Sequence, residues 1–288
     1  MSYDLLISAE QLQDLLASKT PVRIFDGTFD LADAAAGHRQ YLEAHLPGAV
    51  YAHLDTALSD KSGAGVSGGR HPLPTREKFA IWLSSVGLAN NMQAVVYDRN
   101  GANYCGRLWW MLKWAGHAHV AVLDGGLQAW QTAGGSINSG EEPAHFQTNF
   151  ALAPELSSLV ATKTVADNLG RPIQTLIDAR GGPRFRGEVE PLDPIAGHIP
   201  GALNRPFSQN IGADGKFKSA NALKAEFETL LAGRDPASVV HHCGSGVSAV
   251  PNILAMQIAG LGDASTLGLY AGSWSDWCSD TSRPMAQG

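Results

Sequence analysis

Cysteine is scarce in this sequence, and the few cysteines are widely spaced. Cys105, Cys243 and Cys278 are the three present in 288 residues, and no two of them form a CxxC pair. Their odd number and wide spacing exclude a disulfide framework and a zinc-ribbon site. We therefore expect free thiols in a reducing, cytoplasmic compartment.

Long apolar runs and an excess of positive charge are also missing. No run approaches the roughly 18 apolar residues that a membrane-spanning helix needs, and the first segment, MSYDLLISAEQLQDLL, has neither the basic region nor the apolar core of a signal peptide. The formal net charge of −6 disfavours non-specific binding to nucleic acid. A hydrophobic fraction of 44% with 17% charged residues predicts a soluble globular protein, with neither a membrane nor a nucleic acid as its partner.

An internal repeat predicts two domains of the same kind. A short strand ending in Asp, a His-x-Pro-Gly-Ala turn, a second strand and a Gly- and Trp-containing segment each occur twice in the same order. The paired segments are 23–26 with 175–178, 43–49 with 196–202, 94–98 with 239–243, and 123–130 with 269–277. Such duplication indicates two copies of one domain.

Each copy alternates short strands with helical patterns, as at 75–86, 106–115 and 222–232. This alternation predicts an α/β fold in which helices flank a mainly parallel sheet. We predict an N-terminal domain over 1–138, a linker over 139–154 that is rich in Gly, Pro and polar residues, and a C-terminal domain over 155–288. Asp98 in the first copy aligns with Cys243 in the second, so the first domain is predicted to be a non-catalytic scaffold.

Cys243 lies where a strand ends and a glycine-rich loop begins. A helical pattern follows over 248–258. Convergent backbone N–H groups of such a loop, together with the N-terminus of the helix, favour an anion and therefore a thiolate. Gly244 and Gly246 suit this loop because glycine tolerates positive φ. We predict that Cys243 is a nucleophile and that Cys105 and Cys278 are not.

Other histidines in these segments are predicted to be structural. His241 and His242 are adjacent in a strand and point to opposite faces, which excludes one metal bound by both. His45 and His198 occur in both copies of the His-x-Pro-Gly-Ala turn, including the copy without the cysteine. We expect each to brace its turn through a hydrogen bond.

These segments resemble those of tandem-domain rhodanese-type sulfurtransferases. The resemblance rests on the HLPGA and HIPGA turns, the DGGLQAW and AGSWSDW segments and the single cysteine of the second copy, and it spans nearly the whole chain. The loop Cys-Gly-Ser-Gly-Val-Ser is similar to that of 3-mercaptopyruvate sulfurtransferases, whereas thiosulfate-preferring members usually carry Arg and Lys there. The resemblance implies a persulfide on Cys243. It also implies a small-molecule donor, an acceptor that is a small thiol, a thioredoxin-like protein or cyanide, and no metal or cofactor.

The resemblance also implies a catalytic set around the cysteine. Ser245 and His71, with Asp55 as the third member, match a serine-histidine-aspartate constellation that polarises the donor's carbonyl or moves its proton. The loop itself would contribute backbone N–H groups to the bound donor and the persulfide. These loop residues are Gly244, Gly246, Val247 and Ser248.

Arg184 matches the first of two arginines that bind the donor's carboxylate, a role suited to a guanidinium. The second arginine is missing, because Asp193 stands at its position. Asp193 would repel a carboxylate if its side chain pointed inward. Arg186 or Arg180 would then supply the missing charge, and thiosulfate stays open as an alternative donor.

Two further alternatives compete with this interpretation. Cysteine-dependent phosphatases also place an anion-binding loop after His-Cys, but they need an arginine directly after the loop, and Ala249 stands there instead. A degenerate, non-enzymatic binding module is the other alternative, against which the retained Cys243 argues.

Overall fold

The computed structural model describes residues 2–288 and contains two sheets, each of five parallel strands. With helices packed around them, these sheets confirm the predicted α/β fold. The chain forms two compact units. The first unit comprises the residues up to Asp60, Pro74–Leu156 and Gly212–Phe217, and the second comprises Lys61–Leu73, Ser157–Ile211 and Lys218–Gly288.

The compact units do not follow the linear boundaries expected at 138 and 155. Lys61–Leu73 belongs to the second unit although it precedes most of the first, and Gly212–Phe217 belongs to the first. The predicted linker at 139–154 has no helix or strand, yet it lies within the first unit, where Phe150 is buried and its backbone N–H donates to Ser84 Oγ at 2.9 Å. The polar composition of this segment gave no sign that it packs within the first unit.

The first unit has the strand order β1-β5-β4-β2-β3. Its strands are β1 Leu6–Ile7, β2 Val22–Asp26, β3 Val50–Tyr51, β4 Gln93–Tyr97 and β5 Val120–Leu123. Its helices are α1 Ala9–Ala17, α2 Ala36–Glu43, α3 Arg76–Ser85, α4 Cys105–Trp114 and α5 Gly126–Thr132.

The second unit repeats this arrangement in the order β6-β10-β9-β7-β8. Its strands are β6 Ser158–Leu159, β7 Thr175–Asp178, β8 Leu203–Asn204, β9 Val239–His242 and β10 Gly268–Leu269. Its α-helices are α6 Thr162–Asp167, α7 Gly182–Phe185, α8 Ala220–Leu231, α9 Val250–Ile258 and α10 Ser273–Trp277, and two 3₁₀ helices span Phe207–Asn210 and Pro236–Ser238. Strands β2 and β7, and β4 and β9, occupy equivalent places, which confirms the repeat.

Local sequence signals explain most of these elements. Thr75 and Ser219 cap α3 and α8, each accepting a backbone N–H three residues later. The central strands β4 and β9 are buried along their whole length, as expected for parallel strands covered on both faces. The predicted helices at 75–86, 106–115 and 222–232 are confirmed as α3, α4 and α8, with ends shifted by one or two residues.

The repeated turns are braced by their histidines, as expected. His45 Nδ1 lies 2.7 Å from the carbonyl oxygen of Tyr41, and His198 Nδ1 lies 2.8 Å from that of Phe185. Both imidazoles are buried. The His45 ring stacks on the ring of Tyr41, and the His198 ring stacks on that of Phe185. None of the helices in residues 2–288 combines the length and the apolarity needed to cross a membrane.

Candidate active site

Cys243 follows β9 directly and lies at the carboxyl edge of the second sheet, where ligands of parallel sheets bind. It is 2% exposed. Its backbone N–H donates to Ser273 Oγ at 3.1 Å, and its carbonyl accepts from the N–H of Trp274 at 3.0 Å. The N–H of Ser275 donates to the carbonyl of Gly244 at 2.9 Å. The start of α10 therefore fixes the backbone that carries the thiol.

The loop after Cys243 needs glycine at Gly246. Its φ is +73°, and a Cβ there would lie 2.3 Å from the carbonyl oxygen of Ala271. Val247 is buried and Ser248 is half-buried. Helix α9 starts at Val250, two residues later than predicted, because the residues between the cysteine and the helix form turns.

Ser245 and His71 are brought together in the second unit. Ser245 Oγ lies 2.7 Å from His71 Nδ1, and both residues are 4% exposed. Asp55 belongs to the first unit, where its backbone N–H donates to His53 Nδ1 at 3.1 Å. Its assignment as the third member of the constellation stays a prediction.

His71 reaches the second unit because the segment Lys61–Leu73 packs there. Within this segment the N–H of Val66 donates to the carbonyl of Leu73 at 2.8 Å, and the N–H of Leu73 donates to Ser67 Oγ at 2.9 Å. The N–H of Arg70 donates to Ser275 Oγ at 3.1 Å. This hydrogen bond attaches the glycine-rich segment, which has no helix or strand, to α10. Helix α10 in turn holds the backbone of Cys243.

Arg184 lies on the short helix α7 and is held by an acidic pair. Its Nε and Nη2 donate to the two carboxylate oxygens of Glu190 at 3.2 and 2.6 Å, and Nη2 also donates to Asp193 Oδ2 at 3.2 Å. Burial alone would raise the pKa of Glu190, but the hydrogen bonds from Arg184 and the nearby backbone hold it below its usual value. The carboxylate thus stays charged and orients the guanidinium.

Asp193 points inward, but two guanidiniums surround it. Its side chain is 2% exposed and pairs with Arg184 through Oδ2 and with Arg70 through Oδ1. The expected repulsion of a donor carboxylate is therefore offset by these cations. Sequence reasoning missed Arg70. The available signal was its place beside His71 in GGRHP, but its partner Asp193 is 123 positions away.

The two arginines expected to replace the missing charge are engaged elsewhere. Arg180 donates through Nε and Nη2 to Asp178 and through Nη2 to the carbonyl of Gly197, at distances of 2.7–3.2 Å. Arg186 has a side chain 46% exposed and pairs with Glu188 at 2.6 Å. Arg180 also shares Glu190 Oε2 with Arg184, at 3.4 Å from its own Nη1, and Arg70 shares Asp193 with Arg184. The roles of Arg180 and Arg186 in binding the donor stay predictions.

His241 and His242 are fully buried beneath the cysteine. None of their ring nitrogens has a hydrogen-bond partner among residues 2–288. Burial lowers the pKa of His241 to about 3 and also lowers that of His242, so both imidazoles are neutral near pH 7. No group of three or more His, Cys, Asp or Glu side chains in the described chain is arranged to hold a metal ion.

The equivalent loop of the first unit holds a carboxylate in place of a thiol. Asp98 Oδ1 accepts from the N–H groups of Asn100 and Ala102 at 2.8 and 3.1 Å, and Oδ2 accepts from those of Tyr104 and Cys105 at 2.8 and 3.0 Å. Four backbone donors therefore converge on one buried anion. In the first unit, the chain's own carboxylate thus fills the loop at the end of the central strand.

Comparison with known proteins agrees with this arrangement. The family model of the rhodanese-like domain matches residues 8–133 and 161–280, which contain strands β2 to β5 and β7 to β10. A probable 3-mercaptopyruvate sulfurtransferase from Pseudomonas aeruginosa is 43% identical over 292 residues, covering 100% of both chains. A putative thiosulfate sulfurtransferase, SseB, from Mycobacterium tuberculosis is 41% identical over 286 residues, covering 98% of this chain and 97% of the relative.

Solved structures give the same result. The 3-mercaptopyruvate sulfurtransferase from Leishmania major has a TM-score of 0.81 and 32% identity, over 98% of this chain and 76% of that chain. The SseA protein from Escherichia coli, described as a 3-mercaptopyruvate sulfotransferase with the rhodanese fold, has a TM-score of 0.79 and 29% identity, over 95% of this chain and all of that one.

Proposed function

Because this chain belongs to the rhodanese-like family and its curated relatives are sulfurtransferases, we propose that this sulfurtransferase uses 3-mercaptopyruvate as its donor and Cys243 as its sulfur carrier. The observation that carries the proposal is the guanidinium of Arg184. Its Nη1 and Nη2 lie 3.6 Å from the position that a Cβ on Gly244 would take. A carboxylate bound there holds a short keto thiol beside the neighbouring Cys243.

The first half-reaction needs only this nucleophile and a proton carrier. The Cys243 thiolate attacks the donor sulfur, an S–S bond forms, and the C–S bond breaks with its electron pair passing to carbon as pyruvate enolate. The donor's thiol proton ends on that carbon, giving pyruvate and a Cys243 persulfide anion. Loop N–H groups would stabilise the negative sulfur in both states.

Ser245 and His71 fit the transfer of this proton. Their 2.7 Å contact links a hydroxyl in the loop to an imidazole, the side chain that most often transfers protons in active sites. The hydroxyl can polarise the keto oxygen, on which charge develops as the enolate forms. The imidazole can then relay the proton between sulfur and carbon.

The second half-reaction passes the outer sulfur to an acceptor. Cyanide would leave as thiocyanate and a thiol would leave as its persulfide, and either reaction regenerates the Cys243 thiolate. We propose a small thiol or a thioredoxin-like protein as the acceptor in the cytoplasm, and cyanide as a substitute. The three cysteines are all free, which fits a reducing compartment in which thiols are abundant.

Thiosulfate is the second candidate donor. The relative from Mycobacterium tuberculosis is named for it, and a guanidinium also binds the oxygens of a sulfur oxyanion. The loop of this chain offers no arginine or lysine for the second charge of thiosulfate. We therefore expect 3-mercaptopyruvate to have the larger kcat/KM.

The test is a single turnover without acceptor. Mixing the protein with excess 3-mercaptopyruvate should release about one pyruvate per chain in a rapid burst. Mass spectrometry should then show one added sulfur atom on the peptide that contains Cys243. Steady-state kinetics on the same preparation compares kcat/KM for both donors with cyanide as acceptor. If neither donor adds a sulfur atom to Cys243, the proposal is contradicted.

Removing the Ser245 hydroxyl should slow the proton-dependent donor selectively. We expect Ser245→Ala to lower kcat for 3-mercaptopyruvate about 100-fold, the size of effect typical of general acid–base groups. Thiosulfate brings no thiol proton, so its kcat should fall less. The double variant with His71→Gln should be no slower than the worse single variant, because the two groups act as one unit. Equal losses for both donors would argue against proton transfer.

A further inference from the structure

The segment that follows α5 packs against the repeated turn of the first unit. Asn138 pairs with His45, and Glu142 then covers the turn. Glu142 Oε1 accepts from the N–H of Gly48 at 2.9 Å and lies 3.1 Å from His45 Nε2. A carboxylate from an extended stretch of chain therefore satisfies polar groups of the turn.

The same stretch continues to the end of α3. His145 Nε2 lies 3.3 Å from the carbonyl oxygen of Gly48. Gly87 is the second residue after α3, and a Cβ there would lie 2.8 Å from His145 Cβ and 2.9 Å from the carbonyl oxygen of Phe146. Residues 142–146 thus cover the surface between the turn and the end of α3, which we call the first groove.

The second unit has an equivalent surface, which we call the second groove. It is a cavity of about 490 Å³ whose lining includes Gly201 and Gly233. Gly201 is the repeat equivalent of Gly48, and Gly233 is the second residue after α8, as Gly87 is after α3. Within residues 2–288, a Cβ on Gly201 or Gly233 would have no heavy atom within 4 Å other than those of its chain neighbours. No segment of the described chain therefore covers these two glycines.

The polar groups that Glu142 satisfies in the first unit are left open in the second. Ala286 makes the equivalent pairing with His198, but the N–H of Gly288 then donates to the carbonyl of the residue that follows α7, at 3.0 Å. Among the described residues, the N–H of Gly201 donates no hydrogen bond, and His198 Nε2 has no hydrogen-bond partner. His198 is 7% exposed, so its unpaired nitrogen favours a ligand that brings an acceptor.

The lining of the second groove carries an excess of positive charge. Arg171 and Arg234 are exposed in this lining, and neither forms an ion pair within the part of the chain that the structure describes. One carboxylate, that of Asp235, also belongs to the lining, and its Oδ1 accepts from the N–H of Ala237 at 2.9 Å. Two guanidiniums against one carboxylate attract an acidic ligand.

We propose that the second groove binds an extended, acidic peptide segment of a partner protein, as the first groove binds residues 142–146. A glutamate of the peptide accepts from the N–H of Gly201 and contacts His198 Nε2, and the residues after it lie over Gly233. The groove adjoins the start of β7 and the segment before β9, whereas Cys243 follows the opposite end of β9. Peptide binding is therefore a function separate from sulfur transfer.

The probe is a synthetic peptide with the sequence of residues 138–150, added to the isotope-labelled full chain. In an NMR titration, the amide signals of Gly201 and Gly233 should shift. Those of the equivalent glycines of the first unit should not, because the chain's own segment fills the first groove. Glu142→Gln in the peptide should weaken binding about 10-fold, the loss expected for a charge-assisted hydrogen bond.

Charge reversal in the chain provides matched variants. Arg171→Glu and Arg234→Glu should each weaken peptide binding by about 3- to 10-fold and leave the rate of sulfur transfer unchanged. Lys224→Glu reverses an exposed charge on α8 that is not part of the cavity lining, so its affinity for the peptide should stay within about twofold of wild type. The dispersion of the amide spectrum of each variant reports its folding.

Three outcomes would overturn the proposal. Equal binding of the two peptides, or equal binding by the wild type and both arginine variants, would show that the groove does not select an acidic ligand. Absence of shifts at Gly201 and Gly233 with about 1 mM peptide would exclude the groove as a peptide site. Self-association of the wild type that Arg171→Glu abolishes would assign the groove to a second copy of the chain instead.

Discussion

Replacing Cys243 by serine is expected to reduce sulfur transfer from either donor by about 10⁴-fold or more. A serine hydroxyl cannot form the persulfide that links the two half-reactions, and residues 239–250 contain no cysteine or methionine besides Cys243. Steady-state assays with 3-mercaptopyruvate and thiosulfate measure the loss. The fold should survive, because serine is nearly isosteric with cysteine and the loop is held by backbone hydrogen bonds to α10.

The other two cysteines are the matched controls. Burial and then the charge of Asp98 raise the pKa of Cys105 well above its usual value, and burial raises that of Cys278. Neither thiol is a good nucleophile at neutral pH. Cys105→Ala and Cys278→Ala should therefore keep turnover within a few-fold of wild type. Substantial turnover by Cys243→Ser would contradict the assignment of the carrier.

Replacing Asp178 by alanine is expected to lower the free energy of unfolding of the second unit by about 3–5 kcal/mol. Asp178 is fully buried and takes three hydrogen bonds from the guanidinium of Arg180, which has a side chain 2% exposed. Without the carboxylate, the ion pairs of Arg180 within residues 2–288 are reduced to a 3.4 Å contact with Glu190. Hydrogen exchange of the β9 amides measures the loss.

The equivalent Asp26 of the first unit is the control for this prediction. Burial raises the pKa of Asp26 despite the ion pair with Arg99, and Arg99 has a side chain 14% exposed and can reach water. Asp26→Ala should therefore destabilise its unit less at neutral pH than Asp178→Ala destabilises the other. Equal losses of unfolding free energy in the two variants would contradict this explanation.

The two aspartates should also respond to pH in opposite directions. Burial alone would raise the pKa of Asp178, but His242 and Arg180 hold it below its usual value. Its stabilising contribution is thus present above the unfolded pKa of about 3.9 and is lost as pH falls through the folded pKa. For Asp26, with its raised pKa, the contribution is lost as pH rises. In Asp178→Ala, the free energy of unfolding of the second unit should therefore depend less on pH near pH 4 than in the wild type.

Under the proposed function, the contrast between the two loops explains why the second unit would carry the chemistry and the first would not. In the first unit, four N–H groups bind the carboxylate of Asp98, so the loop is already occupied by the chain itself. In the second unit, Cys243 takes this position at the strand end. A thiol can accept and release a sulfur atom, whereas a carboxylate cannot. On this proposal, the duplication supplies one loop that is filled by the chain's own carboxylate and one loop that carries the sulfur carrier.

The sequence by itself determined the repeat, the parallel α/β architecture, the place of Cys243 and the pairing of Asp98 with it. These features depend on patterns within a few residues: apolar strands, helix caps and glycines at positive φ. Tertiary structure alone decided that residues 61–73 join the second unit and that Asp193 faces two arginines. Positions 70, 180 and 186 are all arginine, so residue type alone does not distinguish them. Which of them lies near Gly244 depends on contacts across more than a hundred residues, and no local pattern records such contacts.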